Sequence, residues 1–125
     1  MGQVITELMI QISYDYAKKV FHRQIDLSHA LNDITALSSM HRGLALAYVS
    51  NFQFMMEGSV YKRSMKTDAT KYYLINIHKN YGDDYFRKAL ISISLHIDYY
   101  KNFKDANLTS IKRIVEGVKN REVFL

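Results

Sequence analysis

Apolar residues recur at three- and four-residue steps along most of the chain, and this spacing is typical of amphipathic helices. It predicts a first helix over residues 3–23, a second over 27–37 and a third over about 40–56. Asp26 or Ser28 is expected to cap the second helix, because both side chains accept hydrogen bonds from free backbone N–H groups. Apolar residues cover a wide arc of the third helix, which predicts that it is central in the fold.

The second half of the chain continues the helical spacing. Gly58 is expected to end the third helix, since glycine adopts the left-handed conformation that is common at helix C-termini. A fourth helix is predicted from a cap at Thr67 or Asp68 as far as Tyr81, where Gly82 stops it. The two glycines therefore mark turns between helices.

A fifth helix is predicted after a cap at Asp83 or Asp84, and a sixth from about Asn107. Within the fifth, residues 91–97 ("ISISLHI") alternate apolar and polar residues like a half-buried strand. A helical stripe nevertheless runs through this segment, formed by Phe86, Leu90, Ile93, Ile97 and Tyr100. About twenty residues here lack glycine and proline, whereas strands average about five or six residues, so a helix is favoured. The chain is thus predicted to be all-α, a compact single-domain bundle of about five or six helices over residues 1–125.

The composition is that of an ordinary globular protein, with 48% apolar and 23% charged residues in a chain of 125. The absence of cysteine excludes disulfides and cysteine-based zinc sites, and it fits a cytoplasmic location. Glu7 and Asp15 interrupt the apolar N-terminal segment, which does not resemble a signal peptide or a membrane span. A membrane partner is therefore not expected.

The positive charge lies in the second half of the chain. Residues 1–60 carry four cations and five acids, a sum of −1, whereas residues 61–125 carry thirteen cations and seven acids, a sum of +6. A basic half favours an acidic partner, which can be nucleic acid, an acidic protein surface or anionic lipid. The overall charge of +5 is also compatible with solubility alone.

Sequence motifs for catalysis or cofactor binding are missing. The five histidines are scattered, without the i, i+4 pair that chelates a metal from one helix face, and the five glycines form no phosphate-binding loop. The neighbouring acids Asp83 and Asp84 follow Gly82 directly and are interpreted as helix caps, not as magnesium ligands. We therefore expect a protein that is not an enzyme and has no metal, no cofactor and no small-molecule substrate.

The candidate binding site is the stretch "GSVYKRSMKTDATKYY", residues 58–73, in which cations and tyrosines surround a single acid, Asp68. It leads into the fourth predicted helix, where backbone N–H groups and the helix dipole favour an anion. The residues expected to contact nucleic acid or another partner are Tyr61, Lys62, Arg63, Lys66 and Lys71, extended on the last helix by Lys112, Arg113 and Lys119. The alternative is that the cations are only solvated and that the tyrosines pack against neighbouring helices.

Residues 48–100 resemble a helical region that precedes the HNH module in some bacterial modification-dependent restriction nucleases. The resemblance rests on three segments, "NF…M..G..Y.R.M", "AT.YYL..I...YG" and "AL......H..YY". They are carried here by Asn51, Phe52, Met55, Gly58, Tyr61, Arg63, Met65, Ala69, Thr70, Tyr72, Tyr73, Leu74, Ile77, Tyr81, Gly82, Ala89, Leu90, His96, Tyr99 and Tyr100. The resemblance implies a module that recognises nucleic acid or a target. The HNH module has no counterpart in this sequence, so cleavage is not implied.

Two functions are expected from these observations. The first is a non-catalytic module that binds nucleic acid or a nucleoprotein complex and is linked to restriction or defence systems. The alternative is a small inhibitor from a phage or mobile element, of the anti-restriction or anti-CRISPR type, that binds a defence nuclease. A homodimer is also possible, since the third helix offers a broad apolar surface.

Overall fold

The fold is all-α, as predicted from the sequence. The computed structural model describes residues 3–104 and 111–117, and within those two ranges there is no β-strand. The helices are α1 (Glu7–Phe21), α2 (Leu27–Ser38), α3 (Arg42–Glu57), α4 (Thr67–Tyr81), α5 (Asp83–Lys104) and α6 (residues 111–117). The prediction of five or six helices is confirmed.

The chain divides into two compact units, Met1–Gln53 and Phe54–Leu125. The boundary falls inside α3, so this helix contributes to both. The first unit contains α1, α2 and most of α3, and the second contains the end of α3 with α4, α5 and α6. The assignment of residues 1–125 to one domain stays a prediction.

Local hydrogen bonds fix the ends of the helices in the first unit. The Thr6 hydroxyl accepts a hydrogen bond from Met9 N at 3.2 Å and begins α1. The carboxylate of Asp26 accepts one from His29 N at 2.7 Å and begins α2, which confirms the predicted cap. Ser39, with a φ of 65°, ends α2 in the left-handed conformation.

Aromatic side chains form the centre of the first unit. Phe52, on α3, is fully buried and meets the ring of Tyr14 edge to face, with 5.4 Å between the ring centroids. Phe21, at the end of α1, contacts Phe52 in the same geometry at 5.8 Å. Such pairs add to the free energy gained by burying the rings, so Phe52 is a main source of stability in this unit.

In the second unit, α4 and α5 meet at a turn through Gly82. Gly82 has a φ of 87° and donates its N–H to His78 O at 2.9 Å, which ends α4 as predicted. The predicted cap of α4 at Thr67 or Asp68 is wrong by one or two residues. The N-cap is Lys66, which makes no side-chain cap hydrogen bond, and Thr67 is the first helical residue.

The alternating segment, residues 91–97, is helical, as the sequence analysis favoured. Ile93 is fully buried and Ser94 is exposed, but four other positions reverse a simple amphipathic pattern. Ser92 and His96 are fully buried, whereas Ile91 and Leu95 are 54% and 40% exposed. Buried polar groups need hydrogen-bond partners, so Ser92 and His96 are expected to bond to polar groups packed against α5.

We predict that Phe52→Ala lowers the free energy of unfolding by about 3–5 kcal/mol, because it leaves a cavity and removes two ring contacts. Phe54→Ala is the matched control, since Phe54 lies on the same helix but is 38% exposed. The control is expected to change stability by less than about 1 kcal/mol. Urea unfolding followed by circular dichroism measures both, and equal losses in the two variants would contradict the assigned core.

Candidate functional site

The candidate site is the segment between α3 and α4, residues 58–66, which we call the basic loop. It is not helical, and it lies along one face of α5. That face is formed by Lys88, Ser92 and His96, which are spaced by four residues and therefore lie above one another on the helix. Because an irregular segment lacks helical hydrogen bonds, its backbone polar groups need partners from elsewhere.

Gly58 begins the basic loop with a φ of 72°, a conformation that side chains other than glycine rarely adopt. Its N–H donates to Met55 O at 3.3 Å, which ends α3. A Cβ at position 58 would lie 3.5 Å from the Cβ of Lys88, so the backbone runs close to α5 here. The next residue is tied to the helix directly, since the Ser92 hydroxyl donates to Ser59 O at 2.6 Å.

A second attachment of the basic loop to α5 is the buried imidazole of His96. Its Nδ1 lies 2.6 Å from the carbonyl oxygen of Tyr61, and its Nε2 lies 3.1 Å from the hydroxyl of Ser64. A carbonyl oxygen only accepts, so Nδ1 carries the proton and donates it. Nε2 then accepts from the Ser64 hydroxyl. One neutral imidazole thus holds the loop at two points, three residues apart.

Burial determines the protonation state of His96. The loss of solvent lowers the pKa of His96 below its ordinary value of 6.5, while the hydrogen bond to the Tyr61 carbonyl raises it and opposes part of that effect. The flanking titratable rings are those of Tyr61, stacked at a centroid distance of 4.2 Å, and Tyr100 at 4.9 Å. The imidazole is therefore neutral at pH 7.

Tyr61 was expected to contact a partner, and the structure corrects this. Its side chain is 1% exposed and its ring stacks on His96, so it presents no surface to a ligand. Burial strongly raises the pKa of the Tyr61 hydroxyl, which has no hydrogen-bond partner among the described residues. The physical reason is the attachment of the Tyr61 carbonyl to α5, which turns the ring into the core.

Unlike the ring of Tyr61, the cationic side chains of the basic loop are exposed to solvent. Lys62, Arg63 and Lys66 are exposed, and so is Lys71 in α4. The Lys62 ammonium lies 5.8 Å from the centroid of the Tyr99 ring. The Lys66 ammonium lies 3.9 Å from the carboxylate of Asp68, an exposed pair of little energetic weight.

The predicted extension of the site onto the last helix lies only partly within the described residues. Lys112 and Arg113 are exposed on α6, whereas Lys119 lies outside the described residues. A continuous basic surface from the loop to α6 therefore stays a prediction. Among the described residues, the cations at positions 62, 63, 66 and 71 are exposed and follow one another along the basic loop and the first turns of α4.

Sequence reasoning missed the residues that hold the site. The alternating segment contains Ser92 and His96, for which no partner was predicted, although polar residues four apart among the apolar positions of a helix are a signal of a buried hydrogen-bonding site. The contact between the Lys62 ammonium and the ring of Tyr99 was not predicted either.

Among the described residues, no group of three or more histidine, aspartate or glutamate side chains is placed to hold a metal ion. The helices described in residues 3–104 and 111–117 include none that combines the length and the apolar character needed to cross a membrane.

Comparison of the chain with protein-family models, with curated proteins and with solved structures finds no match in any of the three.

We predict that the protein loses stability as the pH falls below about 6.5, because the unfolded state then binds a proton that buried His96 takes up only at lower pH. Between the two pKa values, the free energy of unfolding decreases by about 1.4 kcal/mol per pH unit for this one proton. NMR titration measures the pKa of His96, and urea unfolding between pH 5 and 8 measures how the free energy of unfolding depends on pH. The control variant is His41→Gln, at an exposed histidine, and it is expected to keep the slope of the free energy of unfolding against pH. His96→Gln is expected to reduce that slope. Titration of His96 at or above its ordinary pKa would refute the assignment.

We predict that Tyr61→Phe leaves the free energy of unfolding unchanged or raises it by up to about 1 kcal/mol, because it removes a buried hydroxyl that has no hydrogen-bond partner within the described part of the chain. Tyr61→Leu is the comparison variant. It removes the ring that stacks on His96 and is expected to destabilise the protein by about 1–3 kcal/mol. Thermal unfolding compares the two, and a large loss in Tyr61→Phe would show that the hydroxyl has a structural role.

Proposed function

We propose that the second unit is a non-catalytic module that binds nucleic acid, alone or in a nucleoprotein complex, and that the basic loop contacts the phosphates. One observation carries this proposal. Ser92 and His96 fix the backbone of the loop to α5, while Lys62 and Arg63 on the same loop remain exposed. Cations on a backbone that is already ordered lose less conformational entropy on binding than cations on a mobile segment.

The local charge balance supports an anionic ligand. Residues 58–73 contain four cations and one acid, Asp68, a sum of +3. The carboxylate of Asp68 is 74% exposed, so its attraction to Lys66 is screened by water and easily replaced by a phosphate. Arg63 adds a planar guanidinium, which can donate two parallel hydrogen bonds to one phosphate.

The start of α4 supports the same proposal. Its N-cap, Lys66, provides no side-chain cap hydrogen bond, and the positive end of the helix dipole lies beside the loop cations. Lysine and backbone groups of this kind contact phosphates without reading bases. We therefore expect binding that depends weakly on sequence and strongly on salt.

The resemblance of residues 48–100 to the helical region of modification-dependent restriction nucleases supports a link to restriction or defence systems. The basic loop lies inside the resembling segment, and Arg63 and His96 are among the positions that carry it. The proposed role is recognition without cleavage.

We predict that the protein binds a labelled oligonucleotide at low salt and that affinity falls about 100-fold between about 50 and 200 mM salt, as expected for four phosphate contacts. Lys62→Gln combined with Arg63→Gln is expected to reduce the slope of log affinity against log salt by about two. The matched control combines Lys19→Gln with Arg23→Gln, which removes one exposed lysine and one exposed arginine from the first unit. Fluorescence anisotropy titrations at several salt concentrations measure the affinity of the wild-type protein and of both double variants for the oligonucleotide.

Absence of binding at the lowest salt, or an equal effect of the two double variants, would contradict the proposal. The inhibitor of a defence nuclease is then the remaining candidate. It is favoured by the exposed apolar pair Ile91 and Leu95, one turn apart on α5. A protein partner captured after nuclease treatment would support that alternative.

A further inference from the structure

Four rings form a continuous series from the core of the second unit toward its surface. Tyr61 stacks on His96 at a centroid distance of 4.2 Å, and His96 contacts Tyr100 at 4.9 Å. Tyr100 in turn meets Tyr99 edge to face at 6.0 Å. The inner rings are fully buried, whereas Tyr99 and Tyr100 are half-buried. The outermost ring is thus supported from behind by a packed series.

A cation of the basic loop lies over the outer end of this series. The Lys62 ammonium is 5.8 Å from the centroid of the Tyr99 ring, within the range of a cation–π contact. At a half-exposed ring such a contact is weak, and the flexible lysine side chain can leave it without moving the backbone. Tyr99 is therefore an aromatic surface next to a cation that we assign to phosphate binding.

A nucleotide in a single strand offers groups that match both residues. Its phosphate fits the Lys62 ammonium, and the face of its base fits an aromatic ring beside that cation. In a duplex the bases are stacked on one another and their faces are covered, so a duplex can use only the phosphate contacts.

We propose that the basic loop and Tyr99 together bind single-stranded nucleic acid in preference to duplex. On binding, Lys62 moves from the ring of Tyr99 to a phosphate, and a base stacks on the ring face that Lys62 leaves. The inference rests on the proposed function and adds the class of ligand to it. Stacking is tolerant of sequence, because every base has an aromatic face.

The test compares four probes of matched length on the wild-type protein: a labelled DNA strand, an RNA strand of the same sequence, the DNA duplex, and an abasic DNA strand. The abasic strand keeps the phosphates and lacks the bases. The intact strand is expected to bind about tenfold more tightly than the duplex and the abasic strand, the size typical of one base stacked on an aromatic ring. Comparing the RNA strand with the DNA strand of the same sequence shows which of the two binds more tightly.

Two variants assign the effect to Tyr99. Tyr99→Leu is expected to lose the tenfold preference and to retain the affinity for the abasic strand, whereas Tyr99→Phe keeps the ring and the preference. Circular dichroism confirms that each variant is folded. The comparison of intact and abasic strands uses the wild-type protein, so it remains decisive if Tyr99→Leu does not fold.

The outcomes separate this inference from the proposed function. Equal affinity for the intact strand, the abasic strand and the duplex overturns the preference for single strands and leaves phosphate binding in place. A preference that survives in Tyr99→Leu overturns the role of this ring. Failure of the wild-type protein to bind any of the four probes overturns the proposed function itself.

Discussion

The hydrogen bond between His96 Nδ1 and the carbonyl of Tyr61 is the interaction on which the candidate site depends. The basic loop is irregular, so its backbone cannot satisfy its own polar groups, and unsatisfied groups against a buried helix face are costly. Ser92 and His96 supply these missing partners from α5. The attachment accounts for the two polar side chains, Ser92 and His96, that α5 buries beside apolar residues such as Ala89 and Ile93.

The same attachment decides which side chains of the loop reach solvent. With the carbonyl of Tyr61 directed at α5, the ring of Tyr61 enters the core, and Met65 is buried as well. Lys62 and Arg63 lie between them in the sequence and are exposed. The segment that buries Tyr61 and Met65 thus leaves the two cations between them in solvent. The same short segment therefore supplies both buried core side chains and the exposed cations proposed to bind phosphate.

Burying these polar side chains has two unfavourable consequences in α5. Burying Ser92 and His96 turns that helix so that Ile91 and Leu95 face outward. Burying a histidine also requires it to stay neutral, which lowers its pKa and links the stability of the loop to pH. Such departures from simple amphipathic patterning are expected where a structure serves a site as well as a core.

The sequence by itself determined the helices, because their spacing, the Asp26 cap and the turns at Gly58 and Gly82 depend on residues a few positions apart. It also indicated the cations of the loop through their local density. Only the tertiary structure decided that Tyr61 is buried and that His96 holds it, because this hydrogen bond joins residues 35 positions apart. Local periodicity carries no information about which distant backbone group a buried polar side chain will bind, so the orientation of the loop had to come from the folded chain.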